Sequence, residues 1–440
     1  MNKAITKLTV FILGLASMPL QGQTDSVWTL TKCIDYAFNR NITVRKSELS
    51  NERLGLYADQ AKAQRMPSAS AAISQNFNWS KNTATGDNSF TGSNGTSYSV
   101  NSGITIYNGS RLTNLIKQAE LDISGGAYSL ETTKEAISLN ILNGYLQVLY
   151  AEELVKNSQK QIESTAEQVR LASERLRLRG ISESDYAQVK SQLATEKLTL
   201  ANSESQLAID KVNLMQLMEL PVTADFNIVH PDLGESLNQN RAPDVKAIFE
   251  TALSIKPQIK NASVNKDIAA LDEKIAKAGY IPTLSASAGL TSGYSTTATD
   301  IYFNQLNNTI RPAVGVSLSI PIYQKKQVKT SVAVAKIGYR DAELSETDTK
   351  NQLRKSIEQT CQDVVSAQIE YEANLENYAA TSEASELSGE KFRQGLINSI
   401  DYLVSKTNLI VAESQLLQSK YKLIFSYKIL DFYQGIPLSL

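Results

Sequence analysis

Histidine and cysteine are almost missing from this chain of 440 residues, which carries only His230, Cys33 and Cys361. That leaves too little for a histidine- or cysteine-based metal site. The two cysteines are expected as free thiols or buried filler. No Gly-x-x-x-x-Gly-Lys loop occurs, so no phosphate cradle supplies energy from a nucleotide. No charge predominates, because 44 Lys and Arg meet 45 Asp and Glu for a net −1, and a nucleic-acid partner is not expected. Outside the N-terminus no run of about 18 uncharged apolar residues exists, which excludes a transmembrane helix. Proline is absent from 109–179 and 325–394, two stretches that can stay helical throughout.

What is present begins with Lys3 and Lys7 ahead of the apolar run Leu8–Ala16, followed by small and polar residues with a cut near Gly22. This reads as a secretory signal peptide over 1–22. The rest repeats itself. A constant offset lays Ala37 on Ala252, Ala61-Lys62-Ala63 on Ala276-Lys277-Ala278, Pro67 on Pro282 and Gly180 on Gly395. One extra residue then lays Tyr107 on Tyr323, Asp185 on Asp401 and Pro221 on Pro437. Two tandem repeats are expected, 23–220 and 244–440, joined by a proline-bearing linker at 221–243 that contains His230.

Each repeat opens with a helix (about 29–65 and 244–280) stopped by a proline. A hairpin follows, at about 68–107 and 283–323, in which residues alternate with a period of two. Ala69, Ala71, Ile73, Phe77 and Trp79 form one face, against Ser68, Ser70, Ser74, Asn76 and Asn78. Tyr98, Val100, Ile104 and Ile106 continue the apolar set, as do Leu284, Ala286, Ala288, Leu290, Val314, Val316, Leu318, Ile320 and Ile322. These read as strands of about 10 residues with one apolar face and one small polar face. A half-buried soluble hairpin has the same pattern. The long Gly/Asn/Ser/Thr loops Thr83–Thr96 and Thr296–Ile310 favour membrane strands instead. So do the aromatics at the strand ends: Phe77, Trp79, Tyr98 and Tyr294 by the loops, Tyr107 and Tyr323 by the helices. Four strands cannot close a barrel, and an open edge has no partner in lipid, so copies must join: eight strands from a dimer or twelve from a trimer.

The long helices, roughly 70 residues each, span about 100 Å at ~1.5 Å per residue. Their return segments carry strict heptads, Tyr186, Leu193, Leu200, Leu207, Leu214 and Tyr402, Leu409, Leu416, Leu423, Leu430. That spacing winds neighbouring helices into a left-handed supercoil. A solvated stalk without a lumen has the same periodicity. Two helix reversals are expected, at about 175–186 and 391–403, with Gly180 and Gly395 left-handed and Ser182 and Asn398 capping the returning helices. Asp185 and Asp401 fit capping. Copies of Asp401 facing each other across an axis form a cation-attracting ring.

The signal peptide, the duplicated hairpins and the tip Phe392-Arg393-Gln394-Gly395-Leu396-Ile397-Asn398-Ser399-Ile400-Asp401-Tyr402-Leu403 together resemble the TolC-type outer membrane efflux proteins. The resemblance implies an α+β membrane protein: a trimeric 12-stranded β-barrel, four strands per chain, continued by an α-helical coiled-coil tunnel in the periplasm. It implies a non-enzymatic exit duct for tripartite efflux or type I secretion, without cofactor or metal. Outer-membrane lipid, a periplasmic adaptor and an inner-membrane pump of RND or ABC type are its implied partners. Asp401, with Asp185, would form the periplasmic constriction. Arg179, Gly180, Ile181, Ser182, Phe392, Arg393, Gly395, Leu396 and Ile397 would dock the adaptor. The sequence departs from TolC at Phe392 for tyrosine, Ile397 for arginine and Val404 for an acid, and the first tip reads as one residue shorter. A trimeric autotransporter-like or coiled-coil surface protein is the alternative, but its strands belong at the C-terminus, whereas here they are internal and occur twice.

Overall fold

The computed structural model describes residues 27–81, 90–221, 226–231 and 243–440. The expected signal peptide, part of the first hairpin loop and most of the linker lie outside the described residues. In chain order the elements are β1 (Val27–Trp28), α1 (Leu30–Arg40), α2 (Ile42–Ala63), β2 (Ser68–Lys81), β3 (Phe90–Tyr107), α3 (Arg111–Arg177) and α4 (Glu183–Leu217). β4 (Asn227–Ile228) lies in the linker, and the second half follows with α5 (Val245–Ile255), α6 (Pro257–Lys277), β5 (Thr283–Ser295), α7 (Tyr302–Asn308), β6 (Arg311–Ser319), α8 (Gln327–Gln394) and α9 (Ser399–Tyr433).

The opening helix expected in each half is two helices. The first breaks at Asn41, whose side chain accepts from the N–H groups of Thr43 and Val44 and donates to the Leu217 carbonyl at 2.8 Å. The second breaks at Lys256, ahead of Pro257, which starts α6 because its missing N–H needs no partner there.

β2, β3, β5 and β6 form one antiparallel sheet in the order β2-β3-β5-β6. Register places Ile73 opposite Tyr98, Val100 opposite Leu290 and Ala288 opposite Val314, so the apolar residues of all four strands share a face. A bulge at Ile106 sets Tyr107 opposite Leu284 and keeps it in the apolar row. The strands depart from the expected uniform length, with 14, 18, 13 and 9 residues. Residues 90–96, expected in a loop, pair with 75–81, and Thr296–Ile310 contains α7. β6 ends at Ser319 ahead of Pro321, which cannot donate to a ladder, so Ile320, Ile322 and Tyr323 are exposed outside the sheet.

Each strand runs into a helix, and the helices keep the order of the strands. α2 packs on α3, α3 on α6, and α6 on α8, matching β2-β3-β5-β6. Farther from the sheet α3 pairs with α4 and α8 with α9, two hairpins of 67 with 35 and 68 with 35 residues. Between these zones α1 and the β1–β4 pair close a core of Ile141, Tyr145, Val148 and Leu214. Its counterpart beneath α5 holds Ile357, Cys361, Val364 and Leu430. Both cysteines are free and buried, and desolvation pushes the Cys33 thiol up to about 12.

The left-handed residues show how closely the halves agree. Gly109, Ser110, Arg179 and Glu219 correspond to Lys325, Lys326, Gly395 and Gly435, each pair 216 apart (325−109, 326−110, 395−179, 435−219). Gly109 also has no room for a side chain, because a Cβ there would stand 2.8 Å from that of Ile281.

Candidate functional site: the paired helix tips

The turns from α3 to α4 and from α8 to α9 are the same loop. In the first, the Arg179 N–H bonds the Leu176 carbonyl at 2.9 Å and the Gly180 N–H bonds that of Arg175 at 2.8 Å. In the second, Gly395 bonds Phe392 at 3.1 Å and Leu396 bonds Lys391 at 2.9 Å. Both are helix ends closed by a left-handed residue and a six-to-one hydrogen bond. The expectation that Gly180 is left-handed is therefore corrected. Arg179 takes that role with φ 59°, as Gly395 does with φ 77°, and Gly180 matches Leu396. The tips are equal in length, not one residue different. The glycines had suggested one alignment and the aspartates another, and backbone geometry sides with the aspartates.

Each returning helix is capped as expected. The Asp185 N–H bonds the Ser182 hydroxyl at 3.0 Å while the Asp185 carboxylate accepts from Ser182, a reciprocal capping box. The Asp401 N–H bonds the Asn398 side chain at 2.8 Å. The two carboxylates then differ. Asp401 is exposed. Asp185 faces the second tip, where the Ser399 hydroxyl lies 2.5 Å from its Oδ1 and 2.5 Å from Oε1 of Gln188. The hydrogen bonds from Ser399 and Ser182 hold the Asp185 carboxyl below its ordinary value.

Other contacts also join the tips. The Arg175 guanidinium donates to the Phe392 carbonyl at 2.8 Å. Phe392 stacks on Tyr402 with ring centroids 4.9 Å apart, both buried with Val189 and with Ile397 partly packed against them. Phe392 was expected on the docking surface, but its ring braces the tip from inside. Arg179, Gly180, Ser182, Arg393, Gly395 and Leu396 are exposed, and Ile181 is half-buried. Sequence reading missed Leu178 and Ile400, exposed apolar residues beside them. It also missed Ser399, which is fully buried and carries no distinguishing signal in a serine-rich chain.

Above the tips a polar ladder ties the hairpins together. Lys406 of α9 meets Glu196 of α4 at 3.1 Å, and the Thr165 hydroxyl of α3 donates to the same carboxylate at 2.5 Å. Lys406 also bonds Thr165. Farther along, Gln161 reaches Glu413 at 3.0 Å and Lys420 reaches Glu153 at 3.2 Å. In α4 the leucine heptad marks only half of the seam. The more buried row, three residues on, is Val189, Glu196, Ser203 and Asp210, mostly polar and invisible to a search for apolar spacing.

His230, expected as a solvated loop residue, is half-exposed and sits 2.9 Å from Glu152, whose other oxygen meets Lys211 at 2.7 Å. Among the described residues no His, Cys, Asp and Glu group could hold a metal ion, and no helix is long and apolar enough to cross a membrane.

A family model described as outer membrane efflux protein matches residues 33–219 and 248–434, one match per repeat. The chain is 22% identical to outer membrane protein TolC of Salmonella enteritidis over 393 residues, covering 87% of this chain and 76% of that protein. It is 21% identical to outer membrane efflux protein BepC of Brucella suis over 435 residues, 98% of this chain and 90% of that one. Among solved structures it resembles CusC with a TM-score of 0.78 at 14% identity, over 93% and 92% of the two chains. VceC of Vibrio cholerae gives 0.75 at 16% identity, over 92% and 96%.

Proposed function

The chain belongs to the outer membrane efflux protein family, and from that premise we propose that it is one third of a passive exit duct. In this reading three copies close a 12-stranded barrel in the outer membrane. Their helices continue it as a tunnel into the periplasm, where an adaptor and an inner-membrane pump of RND or ABC type supply substrate and energy. The duct performs no chemistry of its own.

The observation that carries this reading is that sheet and helix layer end in register. Among the described residues β2 and β6 are unpaired edges, and they run into α2 and α8, the outermost helices of the layer. Unpaired N–H and C=O groups cannot face lipid, so β2 needs the β6 of another copy. The helices carry matching apolar rows. Ile42, Leu49 and Leu56 on α2 and Ile337 and Leu344 on α8 are exposed at seven-residue spacing, as expected of a seam awaiting its partner helix. The other sheet face is mostly Ser, Asn, Gly and Thr, with Ala72, Ala313 and Arg311 among them, and is small and wettable enough to suit a lumen.

At the far end, Asp401 lies exposed beside the tip, available to a carboxylate ring at the narrow mouth. Exposed Leu178, Leu396 and Ile400, with Arg179 and Arg393, offer an apolar, cationic rim for an adaptor. Planar-bilayer conductance of the purified protein, with its mass measured in detergent, tests the whole reading. A trimer with stable conductance is expected. A monomer that conducts nothing refutes it.

A further inference from the structure

The apolar face of the sheet is not bare along its whole length, because α7 lies across it. Register fixes the face: Tyr98 pairs with Ser292 two places along from Val100 and Leu290, so all four point the same way. The Ser292 hydroxyl donates to the Leu306 carbonyl at 2.6 Å, and the Tyr98 and Tyr302 hydroxyls share a hydrogen bond. Thr309 accepts from the Gly293 N–H at 2.9 Å and donates to the Gly293 carbonyl at 2.9 Å. Buried Gln305 accepts from the Ser295 N–H at 2.9 Å and donates to the Asp300 carbonyl at 2.6 Å. The polar groups that bind α7 to the sheet are thus used internally, as any backbone lying against hydrocarbon requires.

Beside α7 opens a cleft of 770 Å³. Its floor is Ile73, Val100 and Leu290, its wall Phe303, Leu306 and Ile310, and none of the described residues lining it is charged. We propose that this cleft holds one acyl chain of an outer-membrane lipid between α7 and the outer face of the barrel. The proposal rests on the barrel reading, in which this face looks into the bilayer. A neighbouring copy joins edge to edge at β2 and β6 and leaves the face free. An exported solute travels on the opposite, Ser- and Asn-rich face. The lack of charge excludes a headgroup as the occupant, while an apolar floor and wall fit a hydrocarbon tail.

Nondenaturing mass spectrometry of the full assembly, reconstituted in dioleoyl phosphatidylcholine vesicles and re-extracted in detergent, tests the site. Wild-type protein should keep lipid, up to one molecule per chain. Val100→Trp from the floor and Leu306→Trp from the wall should each lower retention at least about tenfold, the loss of roughly two buried methylenes. Val316→Trp, on the same face but outside the cleft, should keep it. The proposal is overturned if wild type retains no lipid, if both filling variants retain as much as wild type, or if Val316→Trp loses lipid equally. Conductance is recorded alongside. A conducting wild type without lipid sinks the cleft alone, whereas a wild type that neither conducts nor enters vesicles sinks the barrel reading.

Discussion

The hydroxyl of Ser399 stands 2.5 Å from Oδ1 of Asp185, joining two helix tips that are 214 residues apart in sequence. It makes Asp185 more than a cap, because the carboxylate that starts α4 also anchors the start of α9. Two helix hairpins that could slide past one another are pinned at their tips.

The pin should titrate. The hydrogen bonds lower the folded-state pKa of Asp185, so their contribution is complete above its ordinary value of 3.8 and is lost as pH falls through the depressed one. Conductance of the reconstituted protein is expected to rise in that acidic range as the tips loosen. In Ser399→Ala, which removes the leading cause of the shift, the rise should begin at higher pH. A pH–conductance curve identical in both proteins would show that the contact holds nothing.

Arg179 adopts the conformation its counterpart Gly395 was chosen for, and a side chain there costs roughly 1–2 kcal/mol. Arg179→Gly should therefore stabilise the first tip by about 1 kcal/mol. Gly395→Ala should destabilise the second by a similar amount. Thermal unfolding of the detergent-solubilised variants measures both, and equal melting temperatures across the set would contradict the assignment of the two left-handed positions.

Much of this architecture was legible because it is periodic. Ile73, Val100 and Leu290 alternate, Leu193 and Leu200 recur every seven, and the offset between halves recurs along the chain. The tips were legible as turns but not in their register, since Gly180 lies one residue past the position that needs a glycine. What stayed hidden depends on contacts between remote segments. Nothing near Ser399 announces Asp185, and Glu196 at a seam position looks like an error until Lys406 and Thr165 arrive from other helices. The first hairpin is longer than its composition implies for a related reason. Phe90–Thr96 is loop-like in composition and becomes strand only because Gln75–Lys81 lies opposite.

The buried Lys406–Glu196 pair offers a large effect on stability. Both side chains are nearly inaccessible, so Lys406→Ala would strand a buried carboxylate at a cost of about 3–5 kcal/mol. Replacing both, with Lys406→Met and Glu196→Gln, removes the unpaired charge and should recover most of that loss. Denaturant unfolding of the single and double variants decides it. A double variant as weak as Lys406→Ala would mean the cost arises from packing rather than from charge.

Asp401 is the counterpart of Asp185 but makes no matching bridge, which leaves an exposed carboxylate one turn from the tip. In a threefold assembly its copies would face a common axis, and three negative charges at a constriction attract cations and repel anions. Asp401→Asn keeps the backbone N–H that Asn398 caps, so folding and assembly should be unchanged. The reversal potential under a salt gradient should then move toward zero as cation preference falls. Because exposed charges are screened within about 8 Å at physiological ionic strength, the difference should be larger in dilute salt than in concentrated salt. A reversal potential that stays at the wild-type value in dilute salt would remove Asp401 from the ion path.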